Sequence, residues 1–212
     1  LLEGRSRWEF RYLKNLFADR DPSVRLQYVL LEPDRIAGRG EPPVVPASVS
    51  RPADRTAATA PPESREEWMK FDVVILGDVP PAALSDADRE ALEALVCERG
   101  KTLVVVAGPR YVPHAWSDTA VGELLPVAPS PVDGPVQPPE RSFRLALTDS
   151  GREHPILRQA DDAEASAAVW SELPEIHWRH PAGPTKPGAT VLAWARAPDA
   201  PDETAPGEDD EA

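Results

Sequence analysis

Residues 71–78 read FDVVILGD and residues 102–106 read TLVVV, two short apolar runs that are typical of buried parallel strands. Between them, Ser85 precedes a helical pattern over residues 86–99, which stops at Gly100. A strand, a helix and a second strand in this order favour a right-handed parallel crossover. The stretch therefore predicts an α/β fold in which both apolar strands are adjacent or near-adjacent, parallel and central.

Weaker patterns on either side of this unit extend the α/β prediction. The run at 143–148 alternates apolar and polar residues, so we expect an edge or antiparallel strand at the periphery. Together the patterns predict a three-layer sandwich with a mostly parallel central sheet. The remaining predicted elements are helices at 8–18, 63–70, 117–125 and 161–171, and strands at 24–30 and 189–195.

The chain reads as one domain over residues 1–198, followed by an acidic tail at 199–212 that we expect to be disordered. A proline-rich stretch near 33–62 predicts a long mobile surface loop. The first residue is leucine and the only methionine is Met69, so we expect a piece of a longer protein, cut at both ends.

Composition excludes several classes of function. The net charge is −13, and removing the seven acidic residues of the tail leaves −6, which argues against a nucleic-acid partner. No apolar run approaches the ~20 residues of a membrane span, so we expect the chain itself to be soluble. Cys97 is the only cysteine, which excludes an intramolecular disulfide and a cysteine-based metal cluster. The cellular compartment stays undetermined.

Four stretches of the sequence form a pattern beyond that of a general α/β fold. They are EGRSRWEFRYLKN at 3–15, FDVVILGDVPP at 71–81, LVVVAGPR at 103–110 and EHPIL at 153–157. Together they resemble the class I glutamine amidotransferase-like domains of large bacterial proteins. The resemblance covers about residues 1–195 and implies a flavodoxin-like fold. Such parent proteins often carry von Willebrand factor A segments and membrane helices, so it also implies a membrane-associated parent chain.

The resemblance also implies where a catalytic cysteine would stand. Amidotransferase chemistry needs that residue at a tight turn after a central strand, where backbone N–H groups form an oxyanion hole. The corresponding turn, residues 107–111, reads AGPRY and offers no nucleophile. Cys97 lies near the end of the preceding helix, where the helix dipole disfavours a thiolate, and we interpret it as a half-buried structural thiol. We therefore predict no catalytic residues.

Two residues remain as candidates for ligand binding. Asp78 and Arg110 each follow an apolar strand, at the edge of the sheet where α/β folds bind ligands. For Asp78 the alternative is that it caps the following turn, and for Arg110 that it is a solvated loop charge. His177 and His180 lack a carboxylate at matching spacing, so we predict no metal site. No glycine-rich phosphate loop of usable spacing occurs, and we predict no cofactor. For His154, before a proline, we expect a turn or cap role.

The aromatic residues of the first predicted helix have two interpretations. Trp8, Phe10 and Tyr12 fit either the core or an aromatic binding face, and helical spacing favours the core. The interleaved basic residues, such as Arg7 and Arg11, are expected to solvate the outer face or to pair with acidic loops.

Three functions remain open from the sequence. The first is a noncatalytic amidotransferase-like module that binds a ligand, a protein partner or other domains of its parent chain. The second is a hydrolase or amidotransferase with an unconventional nucleophile. The third is a structural spacer. The missing nucleophile at 107–111 separates the first from the second, and a crevice lined by Asp78 and Arg110 would favour the first over the third.

Overall fold

The computed structural model of the chain describes residues 1–21, 23–33, 57–129, 132, 134–137, 141–181 and 183–198. The chain divides into two compact units, Leu1–Val136 and Gln137–Ala212, and each is described here by itself. The interpretation of residues 1–198 as one domain stays a prediction. The predicted disorder of the tail at 199–212 lies outside the described residues.

The first unit is built on a five-stranded parallel sheet in the order β3-β2-β1-β4-β5. This confirms an α/β fold with a parallel central sheet. The predicted loop near 33–62 lies largely outside the described residues, but its end contains β3. The strands are β1 (Leu2–Arg5), β2 (Tyr28–Glu32), β3 (Ala57–Ala58), β4 (Val73–Leu76) and β5 (Thr102–Val105).

Helices connect these strands and carry the expected capping signals. In α3, the Ser85 hydroxyl accepts a hydrogen bond from the Asp88 backbone N–H, while the Asp88 side chain caps the Ser85 N–H. Gly100 follows the helix with φ of 59°, which glycine adopts without strain. The helices of this unit are α1 (Trp8–Asn15), extended by a π-helical turn at Leu16–Arg20, then α2 (Arg65–Trp68), α3 (Asp86–Cys97) and α4 (Ala120–Leu124).

The core lies between the sheet and the helices α2, α3 and α4. Trp68 is only 1% exposed, and its indole N–H donates to Asp88 Oδ1 at 3.0 Å. Trp116 donates in the same way to the Val79 carbonyl at 2.8 Å. Both indoles therefore bury their rings without leaving a polar atom unpaired. Other fully buried members are Leu76, Leu84, Leu92 and Leu95.

The expected central position of both apolar strands is only half correct. β4 pairs with β1 on one side and β5 on the other, whereas within the described residues β5 pairs with β4 alone. Val104 of β5 is 38% exposed, so this strand is not buried on both faces. The error has a physical cause. An apolar run indicates that a strand is suited to burial, but it does not determine whether the fold places a second strand on each side of it.

The second unit contains a two-stranded antiparallel sheet. Strands β6 (Arg144–Leu147) and β7 (Ala193–Arg196) pair in register from Arg144 opposite Arg196 to Leu147 opposite Ala193. The alternation at 143–148 is thereby confirmed as an antiparallel strand. Helices α5 (Asp149–Glu153) and α6 (Ala163–Ser171) follow β6, and α6 matches the helix predicted at 161–171.

Candidate functional site

The candidate site lies at the carboxyl ends of β1, β4 and β5. β1 lies between β2 and β4 in the sheet. The strands that follow β1 in the chain are first added on one side of it, as β2 and β3, and then on its other side, as β4 and β5. In open α/β sheets such a reversal opens a crevice beside the carboxyl ends, where ligands bind. The crevice edge is formed by residues 3–7, 77–79 and 107–112.

A buried ion pair that the sequence did not reveal lies at the end of β1. The Glu3 side chain is 2% exposed, and Arg7 Nη2 donates to its Oε2 at 2.8 Å. Glu3 Oε1 also accepts the backbone N–H groups of Gly4 at 2.9 Å and Asp78 at 3.0 Å. This carboxylate is therefore fully occupied by its own chain. The spacing of this pair gave no signal, because Glu3 lies in a strand and Arg7 precedes a helix, so four residues do not by themselves bring the two side chains together.

Arg7 also joins the first strand to the loop after β5. Its Nη1 donates to the Ala107 carbonyl at 3.0 Å, and its side chain is 16% exposed. The expectation that Arg7 solvates an outer face or pairs with an acidic loop is wrong, because its partner is the buried Glu3 on the preceding strand.

Asp78 holds the loop that follows β5. It is 4% exposed, and Oδ1 accepts the N–H groups of Tyr111 at 2.8 Å and Val112 at 3.1 Å. Oδ2 accepts the Arg110 N–H at 3.0 Å. Asp78 thus caps a loop 32 to 34 residues away. The alternative interpretation had it cap the turn that directly follows it.

Two glycines let these carboxylates approach the backbone. A Cβ on Gly108 would stand 2.3 Å from both Cβ and Cγ of Asp78, and one on Gly77 would stand 2.3 Å from Glu3 Oε2. Neither distance is compatible with a side chain. The crevice edge is consequently filled by atoms of the chain itself at these points.

Arg110 and Asp78 are brought together through the backbone only. The Arg110 guanidinium donates from Nη2 to the Tyr111 hydroxyl at 2.8 Å and lies 4.8 Å from the centre of that ring. Its Nη1 lies 3.3 Å from Glu32 Oε2, which also accepts from Arg5 Nε at 2.7 Å. We call Arg5, Glu32, Arg110 and Tyr111 the arginine corner. The hydrogen bond from Arg5, followed by that from Arg110, lowers the pKa of Glu32.

The turn after β5 has its amides already bonded. The N–H groups of Arg110, Tyr111 and Val112 all point to Asp78, and the Gly108 N–H donates to the Val112 carbonyl at 2.9 Å. In an amidotransferase the amides of such a turn stabilise the oxyanion. Here they would have to leave Asp78 before they could do so.

Cys97 is the last residue of α3 and is exposed. The interpretation as a half-buried structural thiol is therefore wrong. In the final turn of this helix Ala94 and Leu95 are buried, and Cys97 lies on the side that faces solvent. Strand β5 and the connection that precedes it separate Cys97 from the turn at 107–111.

His154 and His114 make hydrogen bonds to backbone groups close to them in the sequence. His154 Nδ1 accepts the Ile156 N–H at 3.3 Å, which confirms the predicted cap role. His114 Nε2 lies 3.0 Å from the Arg110 carbonyl, to which it donates. Among the described residues, no group of three histidine, cysteine or acidic side chains is placed to hold a metal ion.

The amino-terminal edge of the sheet contains a small apolar cavity of about 20 Å³. This volume suffices for about one water molecule and is far below that of a ligand pocket, which usually measures about 300–1,000 Å³. The lining residues include Leu2, Gln27, Trp68 and Val74. This pocket lies at the edge opposite to the predicted site residues.

Comparison of the chain with protein-family models, curated proteins and solved structures gave no match. The relation to class I glutamine amidotransferase-like domains therefore stays a prediction. In the described parts of the chain, no helix combines the length and the apolar character needed to cross a membrane.

Proposed function

We propose that this chain is a noncatalytic binding module with a class I glutamine amidotransferase-like architecture. The observation that carries the proposal is the engagement of Asp78 with three consecutive amides after β5. These amides belong to the turn where an amidotransferase would place its nucleophile and its oxyanion donors. A turn held in this way supports a structural use of the crevice edge and not acyl transfer.

The architecture is supported by the order of the strands. Without the two-residue β3, the strands follow the order second, first, third, fourth, which is the beginning of the flavodoxin-like order. With β3 included, the order extends by one strand beyond β2 and agrees with the other common doubly wound arrangement. The four sequence stretches that resemble amidotransferase-like domains favour the first assignment.

Binding is favoured over a spacer role by what remains accessible near the crevice edge. In the arginine corner, two guanidinium groups share one carboxylate, so one positive charge is left over for an anion. The side chains of Arg5 and Arg110 are 60% and 29% exposed. A carboxylate ligand is therefore the chemistry that this corner would accept. In a larger bacterial, membrane-associated parent chain, such a ligand could also be a side chain of a neighbouring domain.

The enzymatic alternative is tested by ammonia release from glutamine. The wild-type chain and Cys97→Ala are compared, since Cys97 is exposed and is the only thiol in the chain. We expect no turnover above the buffer rate in either protein. Turnover that disappears in Cys97→Ala would overturn the noncatalytic assignment, and turnover that persists in both would point to an unconventional nucleophile.

The spacer alternative is tested by titration with glutamate, observed by the arginine Nε–H signals in NMR. We expect the signals of Arg5 and Arg110 to shift in wild type, and the shift of the Arg5 signal to be lost in Arg110→Ala. Arg99→Ala is the matched control, because Arg99 is an exposed arginine of the same unit, outside the corner. Unchanged signals at high glutamate concentration would favour the spacer.

A further inference from the structure

The arginine corner has unused hydrogen-bonding atoms of both charges. Arg5 Nε and Arg110 Nη1 approach the same oxygen of Glu32, Oε2, at 2.7 and 3.3 Å. Within the described residues, the other oxygen, Oε1, and both terminal nitrogens of Arg5 have no hydrogen-bond partner. A guanidinium donates through each of its N–H groups, and each carboxylate oxygen accepts more than one hydrogen bond. Part of the capacity of this ion pair is therefore open to a ligand.

Covalent geometry places the unused atoms near one another. The terminal nitrogens of Arg5 are attached to the same guanidinium carbon as the bonded Nε, and Oε1 of Glu32 is attached to the same carbon as the bonded Oε2. The free donors and the free acceptor consequently lie close to the bond between Nε and Oε2. A single small molecule can meet N–H donors and a carboxylate oxygen there at the same time.

The loop after β5 fixes the second guanidinium of the corner. Arg110 Nη2 donates to the Tyr111 hydroxyl at 2.8 Å, and the guanidinium lies 4.8 Å from the centre of that ring. The backbone N–H groups of both residues are bound by Asp78. Arg110 is thereby held against Glu32 Oε2, which leaves Oε1 as the acceptor for a ligand. A site that is arranged before binding loses less conformational freedom when it binds.

Charge indicates the chemistry of the ligand. The corner combines two positive charges and one negative charge, in a chain of net charge −13. A purely anionic ligand would meet the carboxylate of Glu32, which is 47% exposed, and would be repelled by the net charge of the chain. A ligand that carries one charge of each sign is neutral overall, and it can use the free atoms of both Arg5 and Glu32.

We propose that the arginine corner binds a zwitterion whose ammonium and carboxylate groups are attached to one carbon, as in a free α-amino acid. The carboxylate of the ligand accepts from the terminal nitrogens of Arg5, and its ammonium group donates to Glu32 Oε1. Both contacts are charge-assisted hydrogen bonds, which are about twice as strong as neutral ones. This inference rests on the proposed function as a binding module and names the class of ligand.

Other anions use fewer of the free atoms. A simple carboxylate meets Arg5 and leaves Glu32 Oε1 without a donor. A hydroxy acid supplies that donor, but without a charge. Inorganic phosphate brings further negative charge towards Glu32. Each of these ligands can be compared directly with an amino acid.

The experiment titrates the full chain with L-alanine, L-lactate, propionate and inorganic phosphate at constant ionic strength. The first three share a carbon skeleton and differ in the ammonium group, hydroxyl or hydrogen on one carbon. Binding is followed by the Nε–H and backbone amide signals of Arg5 in NMR. The test variant is Glu32→Gln. Glu98→Gln is the matched control, because Glu98 is an exposed glutamate that pairs with Arg65 at 2.5 Å, outside the corner.

We expect L-alanine to bind with a dissociation constant on the order of 1 mM. It should bind about fivefold more tightly than propionate or L-lactate, which is the order of affinity that an exposed ion pair provides. In Glu32→Gln this preference should disappear, and propionate should bind more tightly than in wild type, because the corner loses its negative charge. A purely structural role of Glu32 would instead weaken both ligands together. Glu98→Gln should behave as wild type.

Equal binding of L-alanine and propionate would overturn the proposal. So would lactate or phosphate binding as tightly as L-alanine, a preference that survives in Glu32→Gln, or no binding of L-alanine at all. Circular dichroism confirms that Glu32→Gln is folded, which is expected for an exposed side chain.

Failure of this proposal is distinguishable from failure of the proposed function. Binding of propionate or glutamate without a preference for L-alanine would overturn the zwitterion alone and would leave a carboxylate-binding module. Signals that stay unchanged with all of these ligands would overturn both proposals.

Discussion

Replacing Asp78 by alanine tests whether this carboxylate holds the loop after β5 or serves a ligand. The substitution removes the acceptor of three backbone N–H groups at 2.8, 3.0 and 3.1 Å. Val112 is 1% exposed, so its N–H would be buried without a partner, at a cost of about 2 kcal/mol. Arg110 and Tyr111 are half-buried, and water can reach their amides, which reduces their loss to about 1 kcal/mol each.

Asp78→Ala also removes the cost of burying the carboxylate charge, which offsets a small part of these losses. We therefore predict that the variant destabilises the loop by about 3–4 kcal/mol. Asp78→Asn should cost about half as much. Its amide oxygen can still accept from Tyr111 and Val112, while its NH₂ group faces the Arg110 N–H. The two variants therefore form a graded series from the same three bonds.

Hydrogen exchange of individual amides is the appropriate assay, because the chain has two compact units and its global unfolding need not be two-state. Exchange of the Val112 amide should accelerate by about 10²–10³-fold in Asp78→Ala. Asp118→Asn is the matched control, since Asp118 is exposed in the same unit.

Two results would refute the structural role of Asp78. One is a Val112 amide that exchanges as slowly in Asp78→Ala as in wild type. The other is an equal acceleration in Asp118→Asn, which would trace the effect to net charge. Slow exchange together with loss of glutamate binding would instead assign Asp78 to a ligand contact.

Three further predictions concern stability and titration. Gly108→Ala should lower stability by about 2–3 kcal/mol, because its Cβ would stand 2.3 Å from side-chain carbons of Asp78, and an unchanged urea midpoint would contradict this close approach. Phe10→Ala should cost about 3–4 kcal/mol by thermal or urea unfolding, and a loss below about 1 kcal/mol would mean that α1 is not held by this ring. The carboxyl of Glu32 should titrate below a pKa of 4.5, with a return towards 4.5 in Arg5→Ala, as measured by carbon NMR. Because this folded-state pKa is lowered, the contribution of Glu32 to stability is complete above pH 4.5 and is lost as the pH falls through the lowered value.

The parallel unit from β4 to β5 was predictable because local signals agree with the fold. Ser85 and Gly100 mark the ends of α3, and the apolar runs on both sides form adjacent parallel strands. The edge position of β5 was not predictable, and the expected core position of Trp8 and Tyr12 is wrong, since these side chains are 68% and 71% exposed. Helical spacing gives α1 two possible stripes, and only the tertiary contact of Phe10 with Tyr28 decides which one is buried.

The candidate site was predictable in place but not in connectivity. Asp78 and Arg110 do lie at the carboxyl edge, because parallel strands end at the same edge of a sheet. Asp78 accepts hydrogen bonds from amides more than 30 residues away, and no periodic pattern in the sequence indicates such a contact. The same holds for the contact of Arg7 with the Ala107 carbonyl, 100 residues further along the chain.

The bonds at the crevice edge bear directly on the proposed function. Glu3, Arg7 and Asp78 link three strand ends through one another and through backbone groups, so opening the crevice for a substrate would break several charged hydrogen bonds together. Each such bond contributes about 1.5–3 kcal/mol, and a small ligand would have to replace most of them to bind there. Binding at the arginine corner requires no such exchange. It would therefore retain the bonds that fix the loop after β5, and the rigidity of that edge would help to keep the corner in place.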